Sequence, residues 1–304
     1  MNFIQIIFCL LTIGIIAFGS LINYFESKLP HFLNQTFRYG KFSAKGKKSK
    51  LVTEVPKAWF KHFYLFAVLI YTYVLILVTT VYIFNWNVPN YVSSALDQIC
   101  GSSRYAYTSK NKVFIAVLLM ALQVYRRFYD THFISVFGTD SKINLSHYFA
   151  GHIHYPGTAL AILCEAPIFT EAPDEVTNEA LQLFNLSYSE LFSIVLFLYA
   201  WWHQHICTKL LAALRKNKKG NVVTNEYKLP EGDWFNYLSA PHQTAEILMY
   251  ACLMWLLWHN ITWFYIFTWV LSNQIETILL SHWWYQEKFK NFPKNRKAII
   301  PFIY

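Results

Sequence analysis

Ile261-Thr262-Trp263-Phe264-Tyr265-Ile266-Phe267-Thr268-Trp269-Val270-Leu271 runs on apolar to Leu280, interrupted mainly by Asn273, Gln274 and Glu276. It then gives way to Ser281-His282-Trp283-Trp284-Tyr285-Gln286-Glu287-Lys288-Phe289 and to Phe292-Pro293-Lys294-Asn295-Arg296-Lys297. Twenty residues of this character match the hydrocarbon core of a bilayer when coiled into a helix. The His, Tyr, Lys and Arg side chains that follow therefore fall where membrane meets water, a place suited to holding an anionic, water-borne molecule against a lipid-borne one.

The same kind of run recurs outward through the chain, at about 3–24, 63–85, 112–125, 146–167, 189–212, 243–259 and 261–280. Hydrophobic residues make up 55% of the 304 and charged residues only 14%, against about a quarter in soluble domains. The composition predicts an all-α, polytopic membrane protein with about seven transmembrane helices forming one membrane-embedded domain over 1–304. The first run is too long for the apolar core of a secretory signal and no small-residue cleavage site follows it, so it is expected to stay as a helix. Five cysteines without a CxxC pattern read as small core side chains.

Charge assigns the sides. The stretch 25–62 carries Lys28, Arg38, Lys41, Lys45, Lys47, Lys48, Lys50, Lys57 and Lys61 against two acids. Arg126 and Arg127 end the third run, Arg215, Lys216, Lys218 and Lys219 follow the fifth, and the basic tail follows the seventh. A seven-span count puts all of these on one side, the cytosol by the positive-inside rule. The acidic stretch 165–188, with the sequon Asn185-Leu186-Ser187, then faces the lumen. The basic surplus is read as a membrane feature, with neither nucleic acid nor metal as a partner.

The chain contains neither GxGxxG after a strand nor GxxxxGK[ST], so a nucleotide would have to be held by helix ends and basic side chains. Arg127, Arg215 and Arg296 are the cations with the planar fork that suits phosphate. Ionisable groups inside apolar runs are costly and point to function. His242, Glu246 and Tyr250 recur every four residues and share a helix face. Asn273 and Thr277 share another, with Glu276 one position aside. His203 and His205, and His152 and His154, stand two apart, which sends their rings to opposite sides of a helix and argues against a shared metal.

Several segments carry a resemblance that spans most of the chain. They are Val55-Pro56-Lys57-Ala58-Trp59-Phe60-Lys61-His62-Phe63-Tyr64, Leu122-Gln123-Val124-Tyr125-Arg126-Arg127, Gly151-His152-Ile153-His154-Tyr155, His203-Gln204, Leu214-Arg215-Lys216-Asn217, and Pro230-Glu231-Gly232-Asp233-Trp234 through Pro241-His242, with Ala245-Glu246, Asn273-Gln274 and the tail quoted above. In order and spacing they resemble the steroid 5α-reductase family, in its polyprenol-reducing branch, with the C-terminal signature concentrated in about 140–304. The resemblance implies an endoplasmic-reticulum membrane enzyme that uses NADPH to saturate the α-isoprene unit of a polyprenoid, a step toward the dolichol of N-glycosylation. It implies cofactor contacts from Arg127, Arg215, Glu246, His282 and Tyr285, to which the reading of the residues above adds His242, Asn273 and Arg296 as expected cofactor-binding groups. The chain departs from the steroid-reducing branch: His62 and Phe63 replace a Gln-Glu pair, and Val124 replaces a Tyr on the third span, so the steroid-type donor is missing.

Hydride adds readily to a carbon–carbon double bond only when a conjugated carbonyl can take the developing charge. An allylic alcohol offers no such sink, so the expected substrate is the α,β-unsaturated aldehyde. His62, Glu246 and Tyr285 are the expected catalytic residues, His62 as carbonyl donor at the mouth of the second span. The rival readings are a trans-2-enoyl-CoA or steroid 4-en-3-one reductase, a prenylcysteine methyltransferase and a lipid-binding membrane protein. Oligomeric state and polyprenoid length stay open at this level.

Overall fold

The computed structural model describes residues 1–38, 42, 49–138, 141–173, 181, 186–217, 219–224, 226–300 and 303. Lys41, Lys45, Lys47 and Lys48 of the basic run, Asp174, Glu175 and Glu179 of the acidic stretch, the sequon residue Asn185, and Lys218 lie outside them.

Each apolar run is a helix. They are α1 (Phe3–Phe25), α3 (Phe60–Tyr82), α5 (Lys110–Tyr129), α6 (Leu145–Leu163), α7 (Tyr188–Ala213), α8 (Pro241–Leu256) and α9 (Ile261–Lys288), with the shorter α2 (His31–Phe37) and α4 (Asn90–Cys100) between. The starts are written locally. Asn2 accepts from the Gln5 amide at 2.8 Å while Gln5 Oε1 takes the Asn2 amide at 3.0 Å, a capping box opening α1. Ser187 and Glu190 do the same for α7, and Pro241 occupies the first turn of α8, where its missing N–H costs nothing. Asn260 caps α9 by accepting from Trp263 N at 2.7 Å. Glu165 adds its carboxylate there, accepting from Ile261 N and Thr262 N, both at 2.8 Å, and so meets the positive end of the helix dipole.

The segments Phe3–Lys28 and Lys57–Tyr82 are long and apolar enough to cross a membrane. The other long helices carry polar groups within their runs, such as Gln123 and Arg126 in α5, His154 in α6, Gln204 in α7 and Glu246 in α8. Those polar side chains turn inward, and the apolar ones outside them stay exposed.

Helix ends and loops collect at two poles. At one, strand β1 (Glu54–Pro56) pairs antiparallel with β2 (Lys142–Asn144), Val55 opposite Ile143. Arg215 Nη1 donates to Val136 O at 2.8 Å in the same region, and the tail joins the segment before α8 through Lys297 N to Tyr237 O, 2.8 Å, and Ser239 N to Lys297 O, 3.0 Å. At the other pole Ala106 N donates to Glu171 O at 2.8 Å, Arg104 to Phe169 O at 3.2 Å, and Asn2 Nδ2 to Thr262 Oγ1 at 2.9 Å. The basic segments that are described gather at the first pole, and Glu165 and Glu171 of the acidic stretch lie at the second, the separation that the charge pattern predicts.

Candidate active site

A hydrogen-bonded polar chain runs through the bundle where α5, α7 and α8 meet. Glu246 Oε2 accepts from Gln123 Nε2 at 3.2 Å and from Gln204 Nε2. Gln204 Nε2 also donates to His242 O at 2.8 Å, tying α7 to α8. The two glutamines join through Gln123 Nε2 to Gln204 Oε1 at 3.0 Å. Arg126 donates to Gln123 Oε1 at 2.6 Å and to Gln204 Oε1, and its Nη1 reaches Asp130 Oδ2 at 2.8 Å. His205 Nδ1 meets the other Asp130 oxygen at 2.6 Å. Gln123, Arg126, Asp130 and Gln204 are all buried, so their mutual bonds are what makes their burial tolerable, Arg126 Nε alone of the guanidinium nitrogens having no partner among the described residues. No described residue donates to Glu246 Oε1, which is left for a donor from outside the chain.

A second inward cluster lies beside it. Arg127, the next residue along α5, points about 100° away from Arg126. It gives two N–H groups to the Tyr64 hydroxyl, Nε at 3.1 Å and Nη2 at 2.8 Å, with its guanidinium 4.9 Å from the Tyr64 ring centre. Tyr155 of α6 packs its ring 5.7 Å from that of Tyr64. Tyr155 also lies within electrostatic range of Tyr250, Glu246 and Arg127. Tyr250 stacks on Trp263 and bonds His154 Nε2 at 2.7 Å; Tyr71 donates to Thr158 at 2.8 Å.

At the basic pole, past the apolar part of α9, His282 Nδ1 lies 2.7 Å from Ser239 Oγ and His282 Nε2 lies 2.9 Å from Gln286 Nε2. An amide nitrogen only donates, so Nε2 of the imidazole accepts and Nδ1–H donates to Ser239. Burial, with Lys297 nearby, lowers the His282 pKa and favours this neutral form. Tyr285 is buried one turn on. Arg296 is buried with 3% exposure over the Phe292 ring, and its Nε and Nη1 have no partner among the described residues. Burial accordingly lowers the Arg296 pKa, against the pull of Tyr285 and Glu231. Arg215 sits 5.2 Å over the Tyr227 ring, which in turn touches Trp284.

The two glutamates that interrupt the apolar runs of α8 and α9 part company. Glu276 faces α1, where Asn23 Nδ2 donates to both its oxygens at 3.0 and 2.9 Å. It lines a narrow cleft with Ile15, Gly19, Arg38, His147 and Asn273 among its walls. Asn273 is thus placed with Glu276 on the α1 side, while Glu246 and His242 lie on the α7 side. Of the other expected site residues, His282, Tyr285 and Arg296 share the basic pole, and Arg127 is committed to Tyr64. His62 is exposed and pairs with Tyr148 at 3.1 Å on the outer flank of α3. Gln123, Gln204 and Tyr64 were not expected as site residues. The glutamines carry the same signal as Glu246, a polar group inside an apolar run; Tyr64 carries none, since tyrosine is ordinary in such a run. Among the described residues no cluster of three or more His, Cys, Asp or Glu is placed to hold a metal ion.

Comparison with known proteins adds an independent line. Residues 176–304 match the family model described as 3-oxo-5-alpha-steroid 4-dehydrogenase. The chain is 40% identical to a polyprenal reductase of Drosophila melanogaster, over 99% of this chain and 93% of that one. It is 31% identical to one of Danio rerio, over 100% of this chain and 98% of the other, and 30% identical to one of Homo sapiens, over 88% and 84%. Identity at this level along nearly the whole length, together with the match of its C-terminal part, shows that the chain belongs to the polyprenal reductase branch of the steroid 5α-reductase family.

Proposed function

We propose that this chain reduces the α-isoprene double bond of a polyprenal, with NADPH as reductant, on the way to dolichol. The observation that carries the reading is Glu246: a carboxylate inside the bundle, fixed through Oε2 by two side-chain amides and open at Oε1. A group that already binds carboxamide N–H is chemically suited to the carboxamide of a nicotinamide. Arg296 supplies the complementary feature, a buried guanidinium with two unpartnered N–H groups, which fits a phosphate. Arg215, His242, His282 and Tyr285 complete the cofactor's seat. When bound, the reduced nicotinamide supplies a hydride; the chain's own groups orient it, keep water from it and steady the charge that forms on the substrate.

The polyprenoid reaches this interior from the lipid. The narrow cleft between α1 and α9 has apolar walls in Ile15, Ile22 and Leu280 and a polar floor in Asn273, Glu276 and Thr277, an amphipathic lining that suits one end of a lipid with a polar head. Large apolar side chains stay exposed along the outer flanks, Leu10 and Ile13 on α1, Leu69 and Ile76 on α3, Phe192 and Val195 on α7, and Phe264 on α9. Such a belt is a lipid-facing surface. It supports seven spans, α1, α3, α5, α6, α7, α8 and α9, in the endoplasmic-reticulum membrane, with the basic pole in the cytosol and the N-terminus in the lumen.

The test is NADPH oxidation by the detergent-purified chain, with polyprenal, polyprenol, a steroid 4-en-3-one and a trans-2-enoyl-CoA offered separately. Turnover confined to polyprenal, and lost on Glu246→Gln, is expected. Direct reduction of polyprenol with no aldehyde formed, or turnover of the steroid or acyl-CoA in its place, overturns the assignment.

A further inference from the structure

An enal reductase needs a group that receives the charge appearing on the carbonyl oxygen, and the steroid-type tyrosine is absent, Val124 being buried and apolar in the expected place. His62 was the expected substitute. On α3, however, His62 and Tyr64 lie about 200° apart around the helix. His62 faces out to Tyr148, and Tyr64, 7% exposed, faces in toward α5 and α6.

We infer that Tyr64 is the carbonyl donor of this site and that Arg127 is the residue that positions it. The inference rests on the polyprenal reading above. Three observations converge on it. First, both hydrogen bonds at the Tyr64 oxygen come from Arg127, at 3.1 and 2.8 Å, so the oxygen acts there only as acceptor. Its own O–H has no acceptor among the described residues and remains to be given to a ligand. Second, the guanidinium lodged on the phenol oxygen aims the hydroxyl and places a positive charge where the oxygen becomes negative as the proton is given. Third, the neighbouring hydroxyls are differently placed. Tyr71 gives its proton to Thr158, Tyr250 is engaged with His154, and among the described residues no hydrogen bond holds the Tyr155 hydroxyl in one direction. Tyr64 is also within electrostatic range of Tyr155 and Tyr250, which in turn feel Glu246, so it belongs to the same interior as the proposed cofactor seat.

A hydride adds at the β-carbon and forms the new C–H bond. The pair of the carbon–carbon double bond becomes the bond between α-carbon and carbonyl carbon, and the carbonyl pair moves onto oxygen. Tyr64 gives its proton to that oxygen, leaving a phenolate beside Arg127. When the enol collapses, the α-carbon takes a proton ultimately drawn from solvent and the oxygen returns its own to Tyr64. The substrate gains two electrons and two hydrogens, and the hydride donor is oxidised by two electrons.

The test separates carbonyl binding from turnover. The saturated aldehyde, carrying a carbon-13 carbonyl, is bound to the chain without cofactor, and its C=O stretch is read by isotope-edited infrared difference spectroscopy. Wild type is expected to lower the stretch relative to the aldehyde in detergent. Tyr64→Phe, which keeps the ring packed against Tyr155 and Phe63, is expected to abolish the lowering while aldehyde affinity changes by less than about threefold. Polyprenal turnover is expected to fall about a hundredfold, the loss typical of one removed oxyanion donor. Arg127→Lys is expected to reduce the lowering in part. If Tyr155→Phe or His62→Gln abolishes the shift and Tyr64→Phe leaves it intact, the assignment to Tyr64 is overturned. If wild type lowers the stretch but does not reduce polyprenal, it is the underlying functional reading that fails.

Discussion

Gln204 donates one amide nitrogen to both the Glu246 carboxylate and the His242 carbonyl, so a single side chain of α7 fixes two successive turns of α8. The consequence is a carboxylate with one oxygen fully occupied and the other open. Charge and direction at Glu246 are therefore set before any ligand arrives, the preorganisation on which electrostatic catalysis depends.

Replacing that carboxylate tests its role directly. Glu246→Gln keeps the shape but removes the charge, and hydrogen bonds to a charged group contribute about 1.5–3 kcal/mol. The NADPH dissociation constant, read by fluorescence titration, is expected to rise about 10- to 100-fold. Gln204→Leu is expected to lower stability by about 1–3 kcal/mol, because it leaves Arg126 and Glu246 short of buried partners.

Arg296 predicts opposite effects on folding and binding. Its buried Nε and Nη1 make no bond among the described residues, so Arg296→Met removes an unsatisfied charge and keeps the volume over Phe292. Thermal stability without cofactor is expected to hold or rise, while NADPH affinity falls at least about tenfold. A variant that melts lower yet binds NADPH normally would show that the guanidinium serves the fold instead.

His282 predicts a pH signature. Its folded pKa is lowered by burial and by Lys297, so between that value and the ordinary one of about 6.5 the unfolded chain holds more protons than the folded one. Stability from the neutral ring is complete above about pH 6.5 and is lost as pH falls through this window. Protonation also turns Nε2 into a donor facing the Gln286 amide nitrogen, 2.9 Å away. Melting temperature is expected to fall more steeply from pH 8 to pH 5 in wild type than in His282→Gln. Parallel curves would refute this.

At the α1 and α9 interface, a Cβ added to Gly19 would meet the carboxyl carbon of Glu276 at 3.0 Å. Gly19→Ala is expected to push Glu276 off Asn23 and cost about 1–3 kcal/mol, through overpacking and a strained carboxylate contact. Asn23→Ala opens space and removes the same bonds. If Gly19→Ala is neutral while Asn23→Ala destabilises, helix separation is cheaper than the geometry implies.

Sidedness can be read chemically. In sealed microsomes an impermeant maleimide is expected to label Lys50→Cys and Lys216→Cys, both at the basic pole, in a background lacking the native cysteines. Tyr107→Cys, at the opposite pole, is expected to react only after the membrane is opened. Reversed labelling would invert the proposed orientation.

The helices were legible because each depends on a local pattern. The run at 261–280 becomes α9, and the other six runs become helices with ends shifted by a few residues, since lipid-facing and core-facing positions alike demand apolar side chains. The gathering at one pole of the described basic segments that precede α3 and follow α5, α7 and α9 was equally readable, Arg104, Lys110 and Lys112 lying at the other. The inward face His242, Glu246 and Tyr250 followed from spacing alone, and the structure gives Glu246 and Tyr250 interior partners on α5, α6 and α7.

Partner choice was not legible. Arg126 and Arg127 are neighbours of identical chemistry, yet one enters the Glu246 network and the other holds Tyr64, because the helix turns them toward different neighbours. Glu246 and Glu276 look alike in sequence, and Asn23 from the first helix, more than 250 positions away, claims one of them. By itself the sequence determined which segments are apolar helices, which end is basic and which family the chain resembles, since these depend on composition, order and local period. Only the tertiary structure decided which polar side chains meet, because a buried polar group is stabilised by whatever donor or acceptor the packing of distant helices brings within about 3 Å.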